Sequence, residues 1–117
     1  MDESDKRKIE KIINDRRYSH SFYSANSDVY NSFLNMEQKT FEDKNLDKKT
    51  KELIAIGISI VINCESCLEW HIHESLKEGA NEKEVIEAVE VGIEMGGGSA
   101  TVSSRFALKI LEYYRGK

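Results

Sequence analysis

Ile9, Ile12 and Ile13 recur at the spacing that places residues on one side of a helix, which predicts a first helix over 5–17. Ser27 is suited to cap a second, in which Val29, Tyr30, Phe33 and Leu34 again follow a helical period. The stretch EQKTFEDKNL (37–46) is polar and reads as a connection. The segment ELIAIGISIVI (52–62) is different in kind. Its isoleucines at 54, 56, 58, 60 and 62 alternate with smaller residues, and strict alternation with β-branching favours a strand. A lone strand among helices would leave its backbone groups without partners, and no other segment resembles one. We therefore read 47–62 as a buried helix, capped by Thr50, with Ala55, Gly57 and Ser59 allowing neighbouring helices to approach closely.

A fourth helix is predicted over 65–78, with Gly79 placed to end it. Asn81 followed by Glu84 has the form of a capping box for a fifth helix. There Val85, Ile86, Val89, Val91 and Ile93 interleave with Glu84, Glu87, Glu90 and Glu94 in an amphipathic pattern. The glycines of MGGGSA (95–100) lack the Gly-Lys-Ser/Thr ending and preceding strand of a phosphate loop, so they predict a tight helix–helix turn. A last helix over about 99–115 puts Val102, Phe106, Ile110 and Tyr113 on one side. The fold class is thus all-α, a bundle of about six helices.

Composition agrees. Proline is absent, which removes the commonest helix breaker. At 117 residues the chain should form one domain, short enough that association with further copies would add stability. The formal net charge of −4 argues against a nucleic-acid partner. The one basic cluster, KRKIEKIINDRR (6–17), is interleaved with Glu10, Asp15 and apolar residues and reads as a solvated face. No apolar region follows the opening MDESDKRK, and the run LIAIGISIVI (53–62) is too short to span a bilayer. These features point to a cytoplasmic protein without membrane contact, in a reducing setting where cysteines cycle or bind metal.

The chemistry is concentrated in NCESCLEWHIHE (63–74), which holds both cysteines of the chain and two of its three histidines. Two residues between Cys64 and Cys67 at a helix start can bring the sulfurs within disulfide reach. So small a loop constrains the unfolded chain little, so such a bond is a poor staple and better explained by its chemistry. Backbone N–H groups at the helix start favour a thiolate. His71, four residues after Cys67, lies one turn along the same face and can share a proton with the thiol. His73 falls towards the other side and reads as a surface or interface residue. Zinc would need four ligands from within ten residues and a broken helix, whereas structural zinc sites draw ligand pairs from separated segments. Two incidental buried cysteines are the plainest alternative. Glu52 stands beside the Ile-rich run, where desolvation can turn a carboxylate into a base. On these grounds alone, flanked by Lys51, it reads as an ordinary exposed first-turn glutamate.

Glu52, Cys64, Cys67 and His71 together spell E-x11-C-x2-C-x3-H. This resembles the active-site signature of the alkylhydroperoxidase D / carboxymuconolactone decarboxylase family. Residues 46–100 resemble the family core, from the KEL helix through the CxxC helix, the G-A-N turn and the EVIEA helix to the glycine-rich turn. The resemblance implies an all-helical fold assembled as homotrimers or homohexamers. It also implies a thiol peroxidase acting on a small hydroperoxide, in which Cys67 forms the sulfenic acid and Cys64 is proton donor and resolving thiol. Glu52 and His71 would form the proton relay, which makes Glu52 a candidate base. No cofactor is implied; electrons would come from an external dithiol, such as a thioredoxin-like or lipoyl protein. The best-known peroxidase members carry a histidine where this chain has Ser66. Decarboxylases of the family typically lack the CxxC pair, which ranks peroxidase above lactone decarboxylation here. A lactone lyase using His71, and a non-enzymatic oligomer that senses redox state or holds metal, are the rival readings. The aromatics Tyr18, Phe22, Tyr23 and Trp70, with His20, suit core or interface packing better than a substrate pocket.

Overall fold

The Ile-rich run is a helix. In the computed structural model, which describes residues 1–117, α3 spans Lys48–Ile62 and turns Ile56 and Ile60, one helical turn apart, into the core with no exposure. Ile54, Ile58 and Val61 face outwards on its other side. A helix satisfies its own backbone groups, which a single strand here could not. The cap is Asp47 rather than Thr50: its Oδ1 accepts the Thr50 backbone N–H at 2.7 Å.

Five more helices surround it: α1 (Glu3–Asn26), α2 (Asp28–Thr40), α4 (Glu65–Lys77), α5 (Glu82–Gly96) and α6 (Gly98–Tyr114). The chain is all-α, as its pattern predicts. α3 packs against α4, α5 and α6, while α1 lies across α4 and α6 and pairs with α2. Ile9, Ile56, Ile60, Leu68, Ile72, Val85 and Ile110 are fully buried where these helices meet. Each contributes roughly 1.5–3 kcal/mol by leaving water.

The predicted caps at Ser27 and Asn81 form; Ser27 Oγ accepts from the Tyr30 N–H, and Asn81 with Glu84 makes both halves of a capping box. Gly97 is the one residue between α5 and α6, at φ 74° and ψ −150°, a backbone conformation open to glycine. Two boundaries lie beyond those predicted. α1 continues through Asn26 because nothing in 18–26 breaks a helix, although Tyr18 (82% exposed) has no core to face. α2 likewise takes in 37–40 of the polar stretch read as a connection.

α3 and α5 cross with their backbones nearly in contact. A Cβ at Gly92 would lie 2.8 Å from the Gly57 carbonyl oxygen and 2.8 Å from Ile60 Cβ. Neither atom can swing aside, since one is backbone and the other the root of a branched side chain. Gly92→Ala is therefore expected to lower stability by about 1–3 kcal/mol, the usual range for overpacking. Thermal denaturation would show this as a lower Tm, and an unchanged Tm would mean that this crossing is looser than it stands here.

Candidate functional site

The link between α3 and α4 is two residues long, and it sets the cysteines. Asn63 adopts the left-handed conformation (φ 54°), its N–H donates to the Ile60 carbonyl, and the Cys64 N–H reaches back to the Ser59 carbonyl at 3.1 Å. This pair of bonds closes α3 in a Schellman turn. The Asn63 side chain is held in turn by the Ser103 hydroxyl of α6, which donates to its Oδ1 at 3.0 Å. Cys64 then caps α4: its Sγ accepts the Cys67 backbone N–H at 3.2 Å. Cys67 is the third residue of the helix. The two half-buried cysteines are joined as a disulfide, with their Cα atoms 5.2 Å apart.

Antiparallel packing of α3 on α4 brings Glu52 beside His71. His71 Nδ1 and Glu52 Oε1 are 2.6 Å apart, with the Glu52 side chain 2% and the His71 side chain 14% exposed. Glu52 is thus no ordinary first-turn glutamate: it is buried, and the imidazole is its polar partner. With Nδ1 engaged, Nε2 is the ring nitrogen left free, and no hydrogen bond runs from the ring to either sulfur. Phe41 stacks on His71 with ring centroids 5.4 Å apart. A cleft of about 350 Å³ opens beside them, lined by Phe41, Glu42, Lys48, Glu52, Trp70 and Glu74 among others. The structure therefore brings together Glu52 with His71, and Cys64 with Cys67, on one short segment of α3–α4.

A second polar cluster was not readable from the sequence. Glu69 is 1% exposed and accepts from two directions. Arg16 Nη1 of α1 donates to its Oε1 at 2.6 Å, and the Tyr114 hydroxyl of α6 donates to its Oε2. Arg16 Nη2 also donates to the Ser66 carbonyl at 2.9 Å and lies 3.2 Å from the Ser66 hydroxyl, between the cysteines. Burial, and then the bond to Glu69, push the Tyr114 hydroxyl well above the ordinary tyrosine range. His73 stacks face to face on Tyr114, at 4.3 Å between centroids, and burial lowers its pKa. It is half-buried within the chain rather than a free surface residue.

The basic cluster of α1 is mostly the solvated face that its pattern suggests, with Lys6, Arg7, Lys8, Lys11 and Arg17 exposed. Lys11 pairs with Asp15 in solvent, but Arg16 and Lys8 both turn onto α4, Lys8 binding Glu65 at 2.8 Å. Tyr18, Phe22 and Tyr23 are exposed rather than packed in the core, and the contacts to α2 are made by Tyr23, whose ring lies against Tyr30, and by His20, whose Nδ1 meets the Tyr30 hydroxyl at 2.9 Å. No group of three or more His, Cys, Asp or Glu side chains is gathered as a metal site would need, and no helix is long and apolar enough to cross a membrane.

Comparison with known proteins places this geometry in context. Residues 27–109 match the model of the carboxymuconolactone decarboxylase family, a span wider than the 46–100 core that the motifs outline. An uncharacterised protein of the cox locus of Paracoccus denitrificans is 35% identical over 88 residues, covering 75% of this chain and 79% of that protein. A family protein from Thermotoga maritima, with a suggested involvement in antioxidative response, has a crystal structure that superposes with a TM-score of 0.83 at 30% identity over 90% of each chain. The apo structure of a family protein from Legionella pneumophila matches with a TM-score of 0.78 at 29% identity, over 92% of this chain and 95% of that one.

Proposed function

The chain belongs to the carboxymuconolactone decarboxylase family, and from that premise we propose that it is a thiol-dependent peroxidase that reduces hydroperoxides through Cys64 and Cys67. The observation that carries this reading is a buried Glu52–His71 pair on the same helix pair as a CxxC motif at a helix start. A general acid–base pair beside two thiols is what peroxide reduction requires.

In the proposed cycle the disulfide is first opened by an external dithiol, which leaves both cysteines reduced. His71, through Nε2, takes the Cys67 proton, and Glu52 steadies the imidazolium. The Cys67 thiolate attacks the terminal oxygen of the hydroperoxide. The O–O bond breaks, the alkoxide leaves with a proton as an alcohol, and Cys67 becomes a sulfenic acid. The Cys64 thiol condenses with it, water leaves, and the disulfide forms again. The sum is one hydroperoxide and two thiols giving one alcohol, one water and one disulfide. Exchange with a thioredoxin-like or lipoyl protein returns the thiols.

The same reading has the chain working as a homotrimer or homohexamer. In its support, Ile54, Ile58, Val61, Val91 and Met95 rim an apolar groove of about 630 Å³ between α3 and α5. Exposed apolar surface of this kind is where another copy would bind. The suggested antioxidative involvement of the Thermotoga maritima relative agrees with a peroxidase.

The test is stoichiometric. Reduced protein given one equivalent of an organic hydroperoxide is expected to lose both thiols quickly, lose the mass of two hydrogens, and release one equivalent of alcohol. Thiols that persist at peroxide levels that oxidise free cysteine would overturn the reading.

A further inference from the structure

Glu52 and His71 occupy one side of the CxxC helix. Glu69, two residues from His71, lies on nearly the opposite face by helical rotation. A carboxylate buried as deeply as Glu69 is stable only if its charge is met. Arg16 meets it, but Arg16 does not stop there. One nitrogen of its planar fork is bound to Glu69 at 2.6 Å, and the other to the Ser66 carbonyl at 2.9 Å. The guanidinium is thus held between a buried carboxylate and the peptide group that leads into Cys67. The Tyr114 hydroxyl steadies the Glu69 carboxylate from its other oxygen, and the Trp70 ring lies against the guanidinium, its centroid 5.2 Å from the guanidinium carbon.

The charges around the motif make this arrangement directional. Glu65 of α4 is matched by Lys8 of α1, and His71 of α4 by Glu52 of α3. α6 presents the Ser103 and Tyr114 hydroxyls. In the Arg16–Glu69 pair the cation faces the motif and the carboxylate lies behind it.

We propose that Arg16 is a positioning residue for the Cys64–Cys67 motif: anchored by Glu69 and Tyr114, its fork fixes the Ser66–Cys67 peptide, whose N–H caps onto the Cys64 sulfur, and its charge on that peptide favours the thiolate form of the motif once the disulfide is reduced. The inference rests on the peroxidase reading for its purpose, since the thiolate is the reacting species there. Its test needs no peroxide.

The experiment titrates the thiols of the reduced protein, following the rate of alkylation by a small neutral reagent against pH, with mass spectrometry to assign each cysteine. Arg16→Met alone would strand the buried Glu69 charge and threaten folding. The variant to use is Arg16→Met with Glu69→Gln, which leaves the site neutral. In it the pH at which the more acidic cysteine of the motif ionises is expected to rise by about one unit, a roughly tenfold slower alkylation below the midpoint. Arg16→Lys keeps the charge but cannot span both partners as a fork does, so a smaller rise is expected. Lys11→Met, which removes an exposed cation of the same helix, should leave the titration unchanged. A folded neutral variant that titrates like the wild type would overturn the proposal and reduce the cluster to a staple between α1 and α4. Should that variant not fold, Arg16→Gln with Glu69→Gln, which keeps hydrogen-bonding groups but no charge, takes its place, and an unchanged midpoint there overturns it equally. A wild type that ignores peroxide would defeat the peroxidase reading and leave these titrations as informative as before.

Discussion

Cys67→Ser is expected to bring hydroperoxide consumption down to the uncatalysed background, while Cys64→Ser should still react once and then stop as a sulfenic acid. The asymmetry follows from where α4 places the two sulfurs. Cys64 caps the helix, and its sulfur accepts the Cys67 N–H. By distance from the helix dipole alone, Cys64 would be the better thiolate. Cys67, however, is one turn before His71, whose Nδ1 is already committed to the buried Glu52. A thiol that can pass its proton to an oriented base outranks one that relies on backbone N–H groups alone. Intact mass after one equivalent of peroxide separates the cases. Cys64→Ser should gain one oxygen and be captured by a sulfenic-acid trap, and Cys67→Ser should stay unmodified on the same timescale. The opposite pattern would assign the attack to Cys64. Reaction of both variants at the wild-type rate would end the case for a dedicated nucleophile.

Local rules were sufficient for much of this architecture. Ser27, Asn81 with Glu84, and the glycines after Met95 each act within a few residues of their own position, and each forms the feature that its neighbours predict. Local rules failed where the deciding partner is distant. The sequence around Glu52 describes an exposed glutamate next to Lys51; its burial comes from α4 packing over α3, with His71 lying 19 residues away. The signature spacing Glu52–Cys64–Cys67–His71 could be read only through family resemblance, because no periodicity links α3 to α4 across a reversal of chain direction. Arg16 and Glu69 are 53 residues apart and carried no motif. One signal was there to use: Glu69 lies beside Leu68 and one turn from Ile72, on the stripe that must face the core. A glutamate on such a stripe requires a cation from another helix, and the basic run of α1 was the available source.

Glu52→Gln is expected to slow peroxide reduction by about 10²-fold or more, the usual scale for losing one member of an acid–base pair. The substitution keeps size and a hydrogen-bonding oxygen but removes the negative charge that lies 2.6 Å from His71 Nδ1. In the ground state the carboxylate fixes the imidazole with its Nδ1–H towards Glu52 and Nε2 towards the chemistry. When His71 accepts a proton, the ring becomes an imidazolium, and the Glu52 carboxylate is the buried charge bonded directly to it. An amide cannot do so. Stability should move the other way or stay level, because a carboxylate that is 2% exposed carries a desolvation penalty that glutamine largely escapes. The measurements are the rate with excess dithiol reductant and a melting curve on the same sample. A variant that melts at or above the wild-type temperature but reduces peroxide poorly would show that the buried charge is kept for chemistry at the expense of folding. A variant with full activity would remove Glu52 from the relay and leave its burial to be explained by packing alone.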